Sequence, residues 1–208
     1  EFIHDFAARN RNRPFFAYYP MVLTHSSWDF DLNRAGWLAT PKLDASGRRI
    51  EGKSEHSLKA NVEYADYQAG QLMKELDRLG LREDTVILFT GDNATSGYGK
   101  GQVQQERGPR VPLIVNCPGR VKAAGPSKEL VDFTDFLPTL AELGGARLPQ
   151  GYVVDGTSFA PTLRGETGKG RDWIFSTYAV HRLVRDKRWL LDGNGRLWDC
   201  GDRRDETG

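Results

Sequence analysis

Between Ser54 and Leu79 the apolar residues Leu58, Val62, Ala65, Ala69, Leu72, Leu76 and Leu79 recur in alternating steps of four and three. That spacing draws one stripe along an α-helix, and a helix with a single apolar stripe needs something to bury it against. Ser54 or Ser57 can cap the start, and Gly80 stands where a left-handed residue closes the end. Leu81 to Asp84 then turn the chain into Val86-Ile87-Leu88-Phe89, a continuous apolar run rich in β-formers. Such a run predicts a strand covered on both faces. A helix followed closely by a buried strand is half of a βαβ unit, so the pair predicts an α/β fold.

The strand runs out into Thr90-Gly91-Asp92-Asn93. Ligands of open α/β sheets bind beyond the carboxyl ends of the strands. A carboxylate beside an amide carbonyl suits a hard cation such as calcium, although a plain turn also explains an Asp-Asn pair. Small residues and glycines from Ala94 to Gly101 then surround one lysine, Lys100. The segment lacks the Gly-x-x-x-x-Gly-Lys-Ser/Thr spacing, which excludes a phosphate-cradling P-loop. Glu106 to Pro112 leads into Leu113-Ile114-Val115-Asn116, a second short strand, and Cys117-Pro118-Gly119-Arg120 makes its exit turn.

Upstream, Phe2, Ile3 and Phe6 have helical spacing, and residues 1 to about 12 read as the end of an amphipathic helix with a polar close. The chain has no starting Met, which suggests that part of a larger protein precedes it. Phe15-Phe16-Ala17-Tyr18-Tyr19 reads as an aromatic strand between Pro14 and Pro20, with His25 shortly beyond. A His there is either a structural hydrogen-bonder or a catalyst. From Ser26 to Gly52 no period holds, which predicts a long loop, either lining a pocket or stapled down by Trp28 and Trp37.

Downstream, Val131 to Leu143 predicts a second helix, capped by Thr134 or Asp135 and ended by Gly144-Gly145. Pro138 fits only its first turn, and Phe136, Leu137, Leu140 and Leu143 form its apolar side. Asp155-Gly156 begins a further turn. The last portion changes character. Short runs at 172–177, 183–185, 188–191 and 196–199, divided by Asp186-Lys187 and Gly193-Asn194-Gly195, predict a small antiparallel sheet. Most of Arg182, Arg185, Lys187 and Arg188 are expected on its solvated face. The polar end, 202–206, is expected to fray.

A length of 208 residues allows one domain with a full core and a small appendage. Hydrophobic residues make 38% and charged residues 27%, which fits a globular chain. A formal net charge of +1 gives no reason to expect nucleic acid or an anionic membrane as partner. No apolar run reaches membrane-spanning length. Cys117 and Cys200 make no disulfide framework, and His4, His25, His56 and His181 show no metal-ligand spacing.

Several of these pieces, taken in order, resemble the sulfatases of the alkaline phosphatase superfamily. Pro14 to Pro20 followed by His25 is similar to their Pro-Phe-Phe strand and active-site histidine. Leu79 to Thr85 running into Phe89-Thr90-Gly91-Asp92-Asn93 resembles their approach to the metal. Gly99-Lys100-Gly101 and Glu106-Arg107-Gly108-Pro109-Arg110-Val111-Pro112 resemble their Gly-Lys-Gly and Glu-Gly-Gly-x-Arg-Val-Pro segments. Pro118-Gly119-Arg120, Asp135 to Leu140, Asp155-Gly156-Thr157-Ser158 and Leu197-Trp198-Asp199 continue the likeness over nearly the whole chain.

The resemblance implies an α/β fold, part of an alkaline-phosphatase-like mixed sheet flanked by helices, with a small C-terminal antiparallel sheet. It implies a catalytic portion over 1–165 and an incomplete subdomain over 166–208. By the same resemblance Asp92 and Asn93 are two ligands of one calcium ion. Lys100 and His25 contact the sulfate and the leaving oxygen, and His25 can protonate the leaving alcohol. His181, on a hairpin, is a candidate for substrate binding. The implied partner is a sulfated small molecule or glycan, and the implied compartment is periplasmic, secreted or lysosomal.

One part of the family pattern is missing. The sulfatase nucleophile is a formylglycine made from Cys or Ser in a Cys/Ser-x-Pro-Ser/Ala-x-Arg segment, and no such segment occurs here. Cys117-Pro118-Gly119-Arg120 has its Pro one place too early. The chain is therefore expected to need its own N-terminal half and to be inactive alone. The family's Glu-Gly-Gly also reads Glu106-Arg107-Gly108, a departure next to Lys100. Two other readings stay open. One is a phosphodiesterase or phosphomutase of the same superfamily, which would bind transition metals through several Asp and His. The other is a non-catalytic carbohydrate-binding remnant using Trp28, Trp37 and His181.

Overall fold

The structure is a computed structural model and describes residues 2–9, 13–29, 34–94, 99–103, 106–122, 125–166 and 170–201. The expected polar close at 10–12, residues 95–98 of the glycine-rich segment and the 202–206 tail lie outside the described residues, as does the side chain of Trp28. The chain divides into two compact units, Glu1–Arg82 and Glu83–Gly208.

In the first unit, helix α1 (Phe2–Arg9) turns Phe2 and Phe6 to the same side, where their rings meet Phe15. The Phe6 and Phe15 centroids are 5.3 Å apart. The aromatic strand expected at 15–19 does not form. Its residues run without ladder bonds, and Phe16 and Tyr18 are 71% and 81% exposed. β-propensity needs a neighbouring strand to act on, and none of the described residues pairs with this stretch.

The expected long loop at 26–52 is instead two antiparallel hairpins. Strand β1 (Ser26–Asp29) pairs with β2 (Arg34–Trp37), and β3 (Thr40–Leu43) with β4 (Arg49–Glu55). Asp44 makes the second turn: its Oδ1 accepts from the Ser46 and Arg48 backbone N–H groups at 2.8 and 3.0 Å and from the Ser46 hydroxyl at 2.6 Å. Gly47 supplies the positive φ of 76° that the turn requires. β4 is largely solvent-exposed, so it carries no apolar alternation from which a strand could be read.

Helix α2 (Leu58–Arg78) forms where the stripe predicts it. The Ser57 hydroxyl accepts the Ala60 N–H at 3.0 Å. At the other end Gly80, with φ +67°, sends its N–H to Asp77 O, and Leu81 sends its own to Leu76 O. That is a Schellman closure. The helix packs on β3, with Ala60, Asn61, Ala65 and Leu76 buried. The stripe is only partly covered, because Val62 remains 51% exposed. The buried Asn61 amide donates to Leu38 O at 2.8 Å.

In the second unit, β5 (Ile87–Thr90) pairs with β6 (Leu113–Asn116). The pairing is antiparallel, and among the described residues β5 has no parallel neighbour of the kind a βαβ unit would give it. Nor is it covered on both faces: opposite residues Phe89 and Ile114 are 36% and 59% exposed.

A 3-10 turn at Phe133–Asp135 then opens helix α3 (Phe136–Leu143). Asp132 caps that turn, and the expected Asp135 stands at the N-cap position of α3, without a side-chain cap bond of its own to the helix. Gly144 and Gly145 end the helix as expected. Thr139, not Leu137, is its fully buried residue, and its hydroxyl donates to Asp135 O and accepts from Phe159 N–H. Phe159, before the short helix α4 (Ala160–Leu163), packs edge-on against Phe136 at 5.9 Å.

The expected C-terminal sheet is present, ordered β10 (Leu197–Asp199), β9 (Trp189–Leu191), β8 (His181–Asp186) and β7 (Trp173–Tyr178), with every pair antiparallel. Leu183, Leu190 and Cys200 form its core with Trp198 against them. Asp192 closes the β9–β10 turn from a buried position, accepting from the Asn194 and Arg196 N–H groups and from the Trp198 indole. Both cysteines are buried and neither forms a disulfide. Among the described residues no helix is long and apolar enough to cross a membrane.

Candidate functional site

The end of β5 carries the expected pair. Gly91 leaves the strand against Val111, and Asp92 and Asn93 follow, both exposed. They bind each other: the Asn93 backbone N–H donates to Asp92 Oδ1 at 2.8 Å and the Asn93 amide to Asp92 Oδ2 at 2.7 Å. Both carboxylate oxygens therefore already hold a donor, and the backbone donor is the next residue rather than the one two positions on that an Asx turn uses. The donor chemistry, one carboxylate and one amide oxygen, fits a hard cation. The number does not complete a shell, since calcium takes about six to eight oxygens. Among the described residues no group of three or more His, Cys, Asp or Glu could hold a metal.

Lys100 lies on a turn stitched to the same strand end. Ala94 N–H donates to Gly108 O at 3.0 Å, and Gln102 N–H to Gly99 O at 2.9 Å. Gly108 sits so close to this turn that a Cβ would stand 2.8 Å from Gly99 O and would collide with the Gln102 carbonyl. Gly99, at φ +124°, has the same intimacy with the Arg107 backbone, 2.8 Å from where its Cβ would be. Backbone approach this close requires glycine. The 99–102 turn thus lies on the 106–108 segment, and that segment also holds the residue after Asn93.

The C-terminal sheet supports this arrangement from one side. The Tyr178 ring lies 3.8 Å from the Cβ position of Gly101. Glu106, 6% exposed, meets Arg185 of β8 through a 2.8 Å contact between Oε1 and Nε. Arg185 is itself 5% exposed, so it leaves the solvated face expected for this cluster. Its neighbours keep to the surface: Lys187 pairs with Glu129, and Arg188 pairs with Asp199 over the Trp189 ring.

His181 is half-buried rather than exposed. Its Nδ1 lies 3.3 Å from Gly193 O, and it faces Tyr178 across the β7–β8 pair. His25 belongs to the first unit, where it is exposed and its N–H donates to Val22 O at 2.9 Å. Trp37 is half-buried. The structure thus links the segments carrying Asp92, Asn93 and Lys100 through one knot of glycines, with the Tyr178 ring near Gly101. Glu106 and Arg185 were not legible as partners in the sequence, because 79 positions separate them and no periodicity links a loop carboxylate to a strand.

Comparison with known proteins places these features in a family. The sulfatase family model matches residues 1–146. Human arylsulfatase A is 37% identical over 183 residues, which cover 81% of this chain and 32% of that relative. Human steryl-sulfatase is 30% identical over 171 residues, 74% of this chain and 29% of that relative. The chain spans about a third of the length of these curated relatives. Among solved structures, a 2-O GAG sulfatase aligns with a TM-score of 0.54 and 26% identity, over 71% of this chain and 37% of that one. A second, solved in complex with its substrate D-glucosamine-2-N,6-O-disulfate, aligns with a TM-score of 0.53 and 21% identity, over 68% and 33%. The fold is that of the alkaline-phosphatase-like α/β enzymes, carrying the small C-terminal antiparallel sheet, and the chain belongs to the sulfatase family.

Proposed function

We propose that this chain supplies the Lys100 and Asp92–Asn93 part of a sulfuric ester hydrolase, with residues 166–208 as a small antiparallel subdomain against it. The observation that supports the reading is the glycine knot: Gly108 bonds the residue after Asn93 and packs on the turn that carries Lys100. In sulfate-ester cleavage, negative charge stays on the sulfuryl oxygens and grows on the leaving oxygen. The Lys100 ammonium is a fixed cation suited to both places. The His25 imidazole is suited to give a proton to the departing alcohol. Asp92 and Asn93 would hold one calcium ion, which supplies further positive charge toward the sulfuryl oxygens. The formylglycine nucleophile and the remaining metal ligands would come from a preceding N-terminal half.

The substrate class is a sulfated small molecule or glycan. The disulfated glucosamine bound by one structural neighbour is in keeping with that class. The half-buried His181 and the neighbouring Tyr178 are the residues of this chain proposed to touch it. A periplasmic, secreted or lysosomal setting goes with such substrates.

The test is turnover of 4-nitrophenyl sulfate by the full-length protein with calcium present. Lys100→Ala is expected to lower kcat by about 100-fold to 1,000-fold, as loss of one preorganised donor does. Near-wild-type turnover would remove Lys100 from the mechanism. The 208-residue chain alone is expected to release no nitrophenol, and measurable turnover by it would overturn the two-part reading.

A further inference from the structure

Glu106 takes no part in the chemistry proposed above, yet it is nearly fully buried and ionisable. Burying a carboxylate costs several kcal/mol unless a partner compensates, so the place of the partner carries information. Here the partner is Arg185, from a different element and equally buried. Glu106 is also tied locally. Its carbonyl accepts the Arg110 N–H at 2.8 Å, and its carboxylate lies 3.9 Å from the Arg110 guanidinium. Two residues on, Gly108 packs on Gly99 and Gln102, the two ends of the turn that holds Lys100. The ring of Tyr178, of the β7–β8 hairpin that also carries Arg185, lies 3.8 Å from where a Cβ on Gly101 would stand. The hairpin thus reaches the Lys100 turn in two ways, directly through the Tyr178 ring near Gly101 and indirectly through the buried ion pair with Glu106, two residues before Gly108.

We propose that Glu106 is a positioning residue that, through its buried pair with Arg185, fixes the turn carrying Lys100, and that the C-terminal sheet thereby sets the lysine's place. The proposal rests on the sulfatase reading for its effect on turnover, but not for its effect on the turn. Arg185 is well chosen for this. A guanidinium is always charged and its planar donors fix direction as well as distance, which a lysine ammonium does not. With the pair gone, the backbone stitches at Gly108 remain but lose their anchor to β8. A displacement of the turn by about 1 Å is enough to cost up to about 100-fold in a positioned reaction.

The experiment uses the full-length protein with Glu106→Gln and Arg185→Lys, and Asp135→Asn as the control. Asp135 belongs to the other buried ion pair of the unit, with Arg171. Three quantities are read: Tm, kcat and KM for 4-nitrophenyl sulfate, and amide hydrogen exchange of a peptide spanning 99–103. Glu106→Gln and Arg185→Lys are expected to lower kcat by about 10- to 100-fold with KM within about threefold of wild type, and to speed exchange at 99–103. Asp135→Asn is expected to lower Tm at least as far while leaving kcat and that exchange unchanged. Two results would overturn the proposal. One is wild-type kcat and exchange in Glu106→Gln. The other is an equal loss of kcat in Asp135→Asn, which would mean general loosening. If the wild-type protein hydrolyses no aryl sulfate, the functional reading fails by itself, and exchange at 99–103 still decides whether Glu106 holds the turn. If Glu106→Gln fails to fold, Arg185→Lys, which keeps the charge and loses the fork, carries the same comparison.

Discussion

Asp135 receives the guanidinium of Arg171 side-on: Nε lies 2.9 Å from each carboxylate oxygen and Nη2 lies 2.7 Å from Oδ1. Asp135 is 1% exposed, and its oxygens also accept the Asp132 and Thr157 N–H groups at 2.8 and 2.6 Å. Arg171 reaches on to Thr134 Oγ1 and Asp155 O. One ion pair therefore ties the head of α3, the Asp155-Gly156-Thr157 turn and the segment entering β7. The side-chain hydrogen bond to Asp135 raises the Arg171 guanidinium pKa, in spite of partial burial.

Removing Arg171 would leave a buried carboxylate with only backbone donors. Arg171→Ala is expected to lower unfolding free energy by about 3–5 kcal/mol, read from urea unfolding at neutral pH. A loss under about 1 kcal/mol would mean that the Asp132 and Thr157 N–H groups satisfy the carboxylate unaided.

Asp192 gives the expected acid response a direction. Burial raises its pKa, but the Arg196 N–H, the Trp198 indole and the Asn194 N–H together outweigh burial, and the folded value falls below the ordinary 3.8. A carboxylate depressed on folding contributes stability that is fully present above its unfolded pKa and is lost as pH falls through its folded pKa. Stability should therefore decline as pH drops from about 5 toward and below 3.8. Asp192→Asn should flatten that part of the curve, at a lower baseline stability, because its single carboxamide oxygen can accept from the two backbone N–H groups or from the Trp198 indole but not from both. Thermal melts at stepped pH would check it. An unchanged slope in the variant would assign the acid response to the surface carboxylates, among which Glu142 and Asp199 are shifted in the same direction.

Two glycines of the site should respond oppositely to the same substitution. A Cβ on Gly108 would enter the Gln102 carbonyl, and backbone cannot swing aside as a side chain does. A Cβ on Gly91 would meet Val111 Cγ1 at 3.5 Å, an ordinary contact. Gly108→Ala is expected to cost about 1–3 kcal/mol and to depress turnover in the full-length protein. Gly91→Ala is expected to stay within about 0.5 kcal/mol of wild type. Differential scanning of both variants separates them, and equal losses would contradict the packing at 99–108.

What the sequence makes legible follows from how local each signal is. The α2 stripe, the Ser57 cap and the Gly80 closure are all written within one helix length, and all three form. The C-terminal hairpins carry their turn residues between the strands, and they form too. The Phe15–Tyr19 strand fails because propensity cannot supply a partner strand. The β3–β4 hairpin is missed because both its faces are polar, although Asp44-Ala45-Ser46-Gly47 is a readable turn signal. At the candidate site, Asp92, Asn93 and Lys100 can be proposed from sequence because they sit in short motifs. Glu106–Arg185 and Asp135–Arg171 are not, because each joins residues far apart in sequence and a single charged residue looks the same whether it ends up solvated or buried.

The Asp92–Asn93 pair sets the last expectation. Each residue offers one kind of oxygen, but only Asp92 brings negative charge, and calcium affinity follows the charge of its ligands closely. The Asn93 amide group donates to Asp92, so a bound cation must compete with that bond for the carboxylate. Asp92→Ala removes the charge and should weaken calcium binding by the full-length protein by more than about tenfold. Asn93→Ala removes one neutral ligand but also frees an Asp92 oxygen from its internal donor, so its loss should be the smaller. Isothermal titration with calcium measures both without any reliance on turnover. Unchanged calcium affinity in both variants would mean that the pair is a turn and that the cation, if bound, is held elsewhere.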